Sequence, residues 1–362
     1  MRARTLNACF VLALSLGGCA NALSSGGSGA VSLWPAVDIP AQVETAPVGT
    51  ARADAADDPA IWRNAADPAA SLILGTDKKA GLYVYGLDGQ VRDFVAAGAL
   101  NNVDLREIRR ADGSTMVLVA ASDRTDRANP RVAMFALDGA RAKLTALGTQ
   151  PFLPSGHAPA EAYGFCMGGP LGADELARAY VVLKDGEVAE SRLIDRAGTI
   201  VAEYVRSMKL ATQSEGCVVD DQARHLFVAE EDVGIWRFDL NEAQPQTQSF
   251  ARVGEESSLV ADVEGLAAAR ANGRTILVAS SQGENAYVVF DAGSGARLGR
   301  FRIAGGSIDG TSDTDGIELA LGDFGPQWPE GLFVAQDGNN APEAQNFKLL
   351  SWQAIRTALE LE

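Results

Sequence analysis

Apolar residues come along this chain in short bursts, each closed by a polar turn. The bursts include "SLILGTD" (71–77), "GLYVYGLDG" (81–89), "TMVLVAASD" (115–123), "RVAMFALDG" (131–139) and "RAYVVLKDG" (178–186). They continue with "HLFVAEED" (225–232), "GIWRFDL" (234–240), "TILVASSQG" (275–283), "AYVVFDAGSG" (286–295) and "GLFVAQDG" (331–338). Each fits a period-two or short buried strand bounded by Gly, Asp or Ser. No helical period appears before the tail, "SWQAIRTALELE". A strand resembling "LYVYGLDG" recurs near residues 83, 134, 181, 236, 288 and 333. That spacing, about fifty residues, is the length of one four-stranded propeller blade. The pattern therefore predicts an all-β chain forming a six-bladed β-propeller over residues 51–362. A two-sheet sandwich or a pair of β-domains would use the same strands, but neither explains the repeat.

The N-terminus reads differently. In "MRARTLNACFVLALSLGGCAN", Arg2 and Arg4 precede an apolar run too short to span a bilayer, and small residues follow. Leu16-Gly17-Gly18-Cys19 has the form of a lipobox. Residues 1–18 are expected to be a lipoprotein-type signal peptide, with Cys19 lipidated and anchoring the chain to a membrane. The protein is then exported, as a periplasmic or outer-membrane-anchored lipoprotein. Residues 19–50, rich in Ser, Gly, Ala and Pro, read as a flexible tether. Cys166 and Cys217 remain in the mature chain, either as a disulfide of an oxidising compartment or as buried thiols.

Net charge is −16, which disfavours a nucleic-acid partner. The acids are clustered at strand ends: "DAADDPAIW", "NNVD", "SEGCVVDD", "AEED", "ADVEG" and "DGTSDTDGIE". In a propeller, equivalent strand ends meet at one mouth of the central channel. So many carboxylates converging there would repel unless a cation intervened. Oxygen-rich clusters suit Ca2+, which takes six to eight oxygen ligands. With only His157 and His225, zinc is poorly supported. Cations also stand beside turns: Lys78 and Lys79 in "TDKKAG", Arg124 in "ASDRTD", Lys184 in "VLKDG". A mouth holding both Ca2+ and Lys/Arg calls for a highly charged anion, and phosphate esters fit. No G-x-S-x-G, P-loop or dinucleotide fingerprint occurs.

In order along the chain, "DAADDPAIW", "DKKAGLYVY", "LNNVD", "AYGF", "EGCVVDD", "AEEDVGIW", "DVEGL", "SSQG", "DGTSDTDGI", "GLFVAQDG" and "QNFK" resemble the β-propeller phytases, the calcium-dependent alkaline phytases of bacteria. The resemblance runs from about residue 51 to the end and implies the same six-bladed fold. It implies hydrolysis of phosphate monoesters of inositol hexakisphosphate, as a 3-phytase, with phytate or its calcium complex as partner and several Ca2+ ions as cofactor. By the same resemblance, catalytic calcium falls on Asp57, Glu215, Glu231, Asp262, Glu264 and Asp315. Structural calcium falls near Asp58, Asp309, Asp337 and Asn339. Lys78, Lys79, Arg124 and Lys184 grip phosphate, with the Tyr163 hydroxyl as a neutral donor. Lys78, Arg124, Glu215 and Glu231 carry the chemistry, in which a metal-held water attacks phosphorus in line. The chain departs from the family where "DGEVAESRL" follows Lys184 in place of a Gln-Tyr pair, and where Asp123 stands for Asn. A monomer is expected. Rival readings are a non-catalytic surface propeller stabilised by calcium, and another calcium-dependent hydrolase. A scaffold has no reason to gather Lys78, Arg124 and Lys184 at the mouth.

Overall fold

The computed structural model describes residues 34–51 and 54–361; the leader, the lipobox and Cys19 lie outside the described residues. Six antiparallel sheets follow one another, and in each the first strand is innermost. Blade I comprises Ala56–Trp62, Leu72–Asp77, Gly81–Gly86 and Val91–Ala96. Blade II comprises Leu100–Arg109, Thr115–Asp123, Arg131–Asp138 and Lys143–Pro151. Blade III is Ala162–Gly168, Ala177–Leu183, Glu187–Arg196 and Thr199–Lys209. Blade IV is Ser214–Asp220, His225–Glu230, Gly234–Asp239 and Gln248–Arg252. Blade V is Val263–Ala271, Arg274–Ser281, Ala286–Asp291 and Arg297–Ala304. Blade VI takes Ile317–Leu321, Gly331–Asp337 and Asn346–Ser351 from the C-terminal end. Innermost strands of successive blades pack on one another, and Ile317–Leu321 packs on Ala56–Trp62 to close the ring. This is the six-bladed propeller that the repeat predicts.

Packing follows the same order. Among the described residues, six apolar clusters fill the six spaces between neighbouring blades. Tyr85 and Phe347 meet between blades I and VI, for example, and Tyr287, Phe301 and Phe333 between blades V and VI. Strands buried on both faces read as near-continuous apolar runs, which is why the bursts stand out in the sequence.

Two features differ from the sequence reading. Two strands come from the segment read as tether. Val43–Glu44 pairs with Asn346–Ser351 as the outer strand of blade VI, and Val37–Pro40 adds a parallel fifth strand to blade V. Blade VI lacks a fourth strand of its own because the chain after Ser351 turns into the helix Trp352–Ala358. The repeat also slips by one strand. It marks the third strand in blades I, II, IV and V but the second, Ala177–Leu183 and Gly331–Asp337, in blades III and VI.

Candidate active site

The mouth is built from a repeated irregularity. In blades I to V the innermost strand bulges near its start, so that extra residues oppose one on the second strand. The bulges hold Asp57-Asp58, Asn101-Asn102, Tyr163, Glu215-Gly216 and Glu264-Gly265. A bulge bends a strand and re-aims a side chain, and here it does so once per blade around one opening. In blade VI, Asp315 stands just before the inner strand, and its carbonyl accepts from Gly265 N at 2.7 Å. The residue after Tyr163, Glu215, Glu264 and Asp315 is glycine each time, at 164, 216, 265 and 316. A Cβ there would meet the carbonyl of Glu215, Glu264, Asp315 or Asp57, respectively, within 2.6 Å. The ring is thus too tight for side chains at these four positions.

A second ring comes from the turns after the second strands. Lys78, Arg124, Lys184, Glu231 and Gln282 each donate a backbone N–H to the residue just before the neighbouring inner strand: Ala55, Ala99, Glu161, Gln213 and Asp262, at 2.7–3.2 Å. One repeated bond therefore places three cations on blades I to III, opposite an acidic half on blades IV to VI.

Lys78 is buried, with Nζ 2.8 Å from each of Asp54, Asp57 and Asp315. Burial opposes its charge, but those three acids win and push its pKa above the usual lysine range. Gln282 Nε2 donates to Asp315 Oδ1 at 2.8 Å. Arg124 lies between Asn101 Oδ1 (2.6 Å) and Glu161 Oε1 (3.6 Å), with Tyr163's ring 5.6 Å away. The ammonium of Lys184 sits 4.7 Å over the same ring. Asn101 Nδ2 donates to Glu215 Oε1 at 2.7 Å.

Glu215, Glu231 and Glu264 bring one carboxylate oxygen each within 4.8 Å of the others, and all three are buried. Burial and the charges of Asp57 and Asp315 push Glu215 well above the carboxylate range. Burial, with Glu215 and Glu231, does the same to Glu264. Burial raises Glu231 and Asp262 adds to it, against a hydrogen bond from Gln213. Burial also raises Asp315, to about 7, against the Lys78 charge. Asp57 Oδ2, Glu231 Oε1 and Glu264 Oε2 are buried without a hydrogen-bond partner. Unpartnered buried carboxylate oxygens facing one another are costly as they stand. An all-oxygen set of this kind fits a hard divalent cation, and the residues present suit one well.

The other sequence candidates are placed as follows. Asp58 is not part of the triad. Its Oδ2 accepts from Val103 N at 2.9 Å, and it lines the channel beneath the mouth with Asp104 and Glu318. Asp309 and Asp337 gather around Lys348, which is fully buried and also bonds Glu44 at 2.6 Å. In that cluster Asn340 Oδ1 lies 3.2 Å from Lys348 Nζ, and the backbone N–H of the exposed Asn339 donates to Asp337 Oδ1 at 3.2 Å. Lys79 is exposed on the rim. Cys166 and Cys217 form a disulfide joining the inner strands of blades III and IV. Asp54, Asn101 and Asn102 fall in strand-end clusters that the sequence reading brings to the mouth without assigning them a role; Glu161 and Gln282 also belong to the mouth and carry no place among the sequence candidates. The signal for Asn101 and Asn102 lies in their register: "NN" occupies in blade II the bulge that "DD" occupies in blade I.

The chain matches the Phytase family model over residues 5–362, and it belongs to that family. The 3-phytase of Bacillus subtilis (strain 168) is 40% identical over 330 residues, covering 88% of this chain and 84% of that one. A chain of "Crystal Structure of Mitotic Checkpoint Complex" aligns over 94% of this chain and 99% of its own, with 12% identity and a TM-score of 0.46, a likeness on which nothing rests.

Proposed function

We propose that the chain is a calcium-dependent 3-phytase that hydrolyses phosphate monoesters of phytate at the propeller mouth. The observation that carries this reading is the division of the mouth. A cationic half, Lys78, Arg124 and Lys184, faces an acidic half, Glu215, Glu231 and Glu264. An anion of many phosphates needs the first and a hard cation needs the second; a scaffold stabilised by metal alone needs only the second.

Glu215, Glu231 and Glu264, with Asp57, Asp262 and Asp315 close by, would hold calcium. Bound there, calcium supplies Lewis-acid neutralisation of phosphate charge. The protein's own groups do the rest. Lys78 and Arg124 orient the phosphoryl oxygens and meet the charge that grows on them in the transition state. Glu215 orients the attacking water and takes its proton. Lys184, stacked on Tyr163, and the exposed Lys79 are placed for the phosphates that are not cleaved. The same reading has the mature protein exported, monomeric and held to a membrane through Cys19, with phytate or its calcium complex as substrate.

The test is phosphate release from phytate by the purified protein, with R124A alongside. Release by the parent and a loss of about a hundredfold or more in R124A are expected. A parent that releases no phosphate from phytate with calcium present contradicts the reading.

A further inference from the structure

Asn101 bridges the two halves of the mouth with a hydrogen bond at each end of its amide. Its Oδ1 accepts from Arg124 Nη1 at 2.6 Å, and its Nδ2 donates to Glu215 Oε1 at 2.7 Å. It is fully buried, so both ends of its amide are fixed by these bonds rather than by water. The side-chain amide of the neighbouring Asn102 lies 2.9 Å from the same Glu215 oxygen and 3.1 Å from Tyr163 O. Tyr163 hydrogen-bonds Glu215 as well, so neutral groups on blades II and III hold this carboxylate in place. On the other side, Arg124 has Nε toward Glu161 and Nη1 on Asn101. A guanidinium has five N–H donors, more than these two contacts use.

We infer that Asn101 is a positioning residue that ties the phosphate-gripping Arg124 to Glu215, so that both act on one phosphoryl group in fixed register. This rests on the reading of the mouth given above. The residue type follows from the charges around it. Blade I carries Asp57-Asp58 in the equivalent bulge, and Glu215 already faces Asp57 and Asp315. A third carboxylate against Glu215 would repel it and could not donate. An amide accepts from the guanidinium with one end and donates to the carboxylate with the other, which no acid or aliphatic side chain does.

The test is a double-mutant cycle in the full-length, calcium-loaded enzyme, using N101A, R124A and the pair, with phytate as substrate. Losing a residue that orients a reacting group costs about 10- to 100-fold, and N101A is expected to lower kcat/KM by that much. In the R124A background the same change costs clearly less than in the parent, because only the hold on Glu215 remains to be lost. N101D keeps the shape and the acceptor for Arg124 but loses the donor to Glu215, and its kcat falls at least as far as that of N101A. As a readout independent of turnover, N101A weakens calorimetric binding of inorganic phosphate several-fold. If N101A fails to fold by circular dichroism, the isosteric N101D carries the test. A folded N101A or N101D with kcat/KM within twofold of the parent overturns the inference while leaving the phytase reading intact. So does a cycle in which the two losses multiply in full. An R124A enzyme at the parent rate overturns both.

Discussion

The three acids of "SDTDGIE" are close in sequence and apart in space. Asp313 is exposed on a turn, Asp315 holds Lys78, and Glu318 lines the channel below. Their repulsion is relieved by geometry as much as by any cation. Lys78 and Glu215 have opposite roles in that balance, and their variants should separate. In K78A, Asp54, Asp57 and Asp315 lose their shared partner. Without calcium the variant should lose on the order of 3 kcal/mol, as when one member of a buried ion pair is removed. Calcium should restore much of that, while turnover falls about a hundred- to a thousandfold. E215Q instead removes a charge that burial disfavours and keeps Oε1 as the acceptor for Asn101. Its calcium-free melting temperature should equal or exceed the parent's while turnover collapses. A K78A protein that melts like the parent in EDTA would show that the acids do not depend on Lys78. Sequence alone suggests that neither residue is in the core; both are buried, and the stability effects follow from that.

At the scale of elements, two links hold parts distant in sequence. The Cys166–Cys217 bond joins two neighbouring inner strands across a separation of 51 residues. Replacing both cysteines with Ala should cost about 2–4 kcal/mol in a denaturant titration, and the parent should show no free thiol from this pair. An unchanged midpoint would mean that interblade packing alone sets the stability. The N-terminal strand Val43–Glu44 covers the outer edge of blade VI, and Glu44 supplies one of the acids on the buried Lys348. A chain beginning at Thr45 exposes that edge and removes the acid. It should melt well below the parent, and equal melting would contradict a closing role for this strand.

Strands and blade number are legible in the sequence because each buried strand is a local apolar burst, and the period of the bursts is a blade. The closing strands are not, since Val43 pairs with Leu349, some 300 residues away, and nothing local marks it. Most mouth residues are legible because acids and cations at strand ends are conspicuous. Glu161 and Gln282 are not, because a singly placed polar residue looks like any turn, and the role of Asn101, though "NNVD" stands among the clusters, needs the bulge register. The glycines in "YG", "EG", "EG" and "DG" are visible, but their reason, a carbonyl of the next blade within 2.6 Å of a would-be Cβ, exists only in three dimensions.

Over the whole molecule, acids crowd one channel and its mouth, and this sets the response to pH and metal. Burial lifts Glu318 to about 8 and Asp315 to about 7. Their unfolded values lie near 4, so between about pH 4 and 8 the folded state binds protons that the unfolded chain has released. Stability of the calcium-free protein should therefore fall as pH rises through that window. Thermal melts in EDTA at pH 5 and pH 8 check this, and a higher melting temperature at pH 8 would contradict it. A cation bound among these acids reverses the trend, since binding only the folded state adds stability with its concentration.

The most direct measurement follows from that same cluster. The protein is stripped of metal, calcium is returned in steps, and phosphate release from phytate is followed together with the melting temperature. The account predicts negligible release from the stripped protein, recovery as calcium is added, and a rise in melting temperature over the same range. Phytate hydrolysis at the full rate in excess EGTA, with a melting temperature indifferent to calcium, would contradict it.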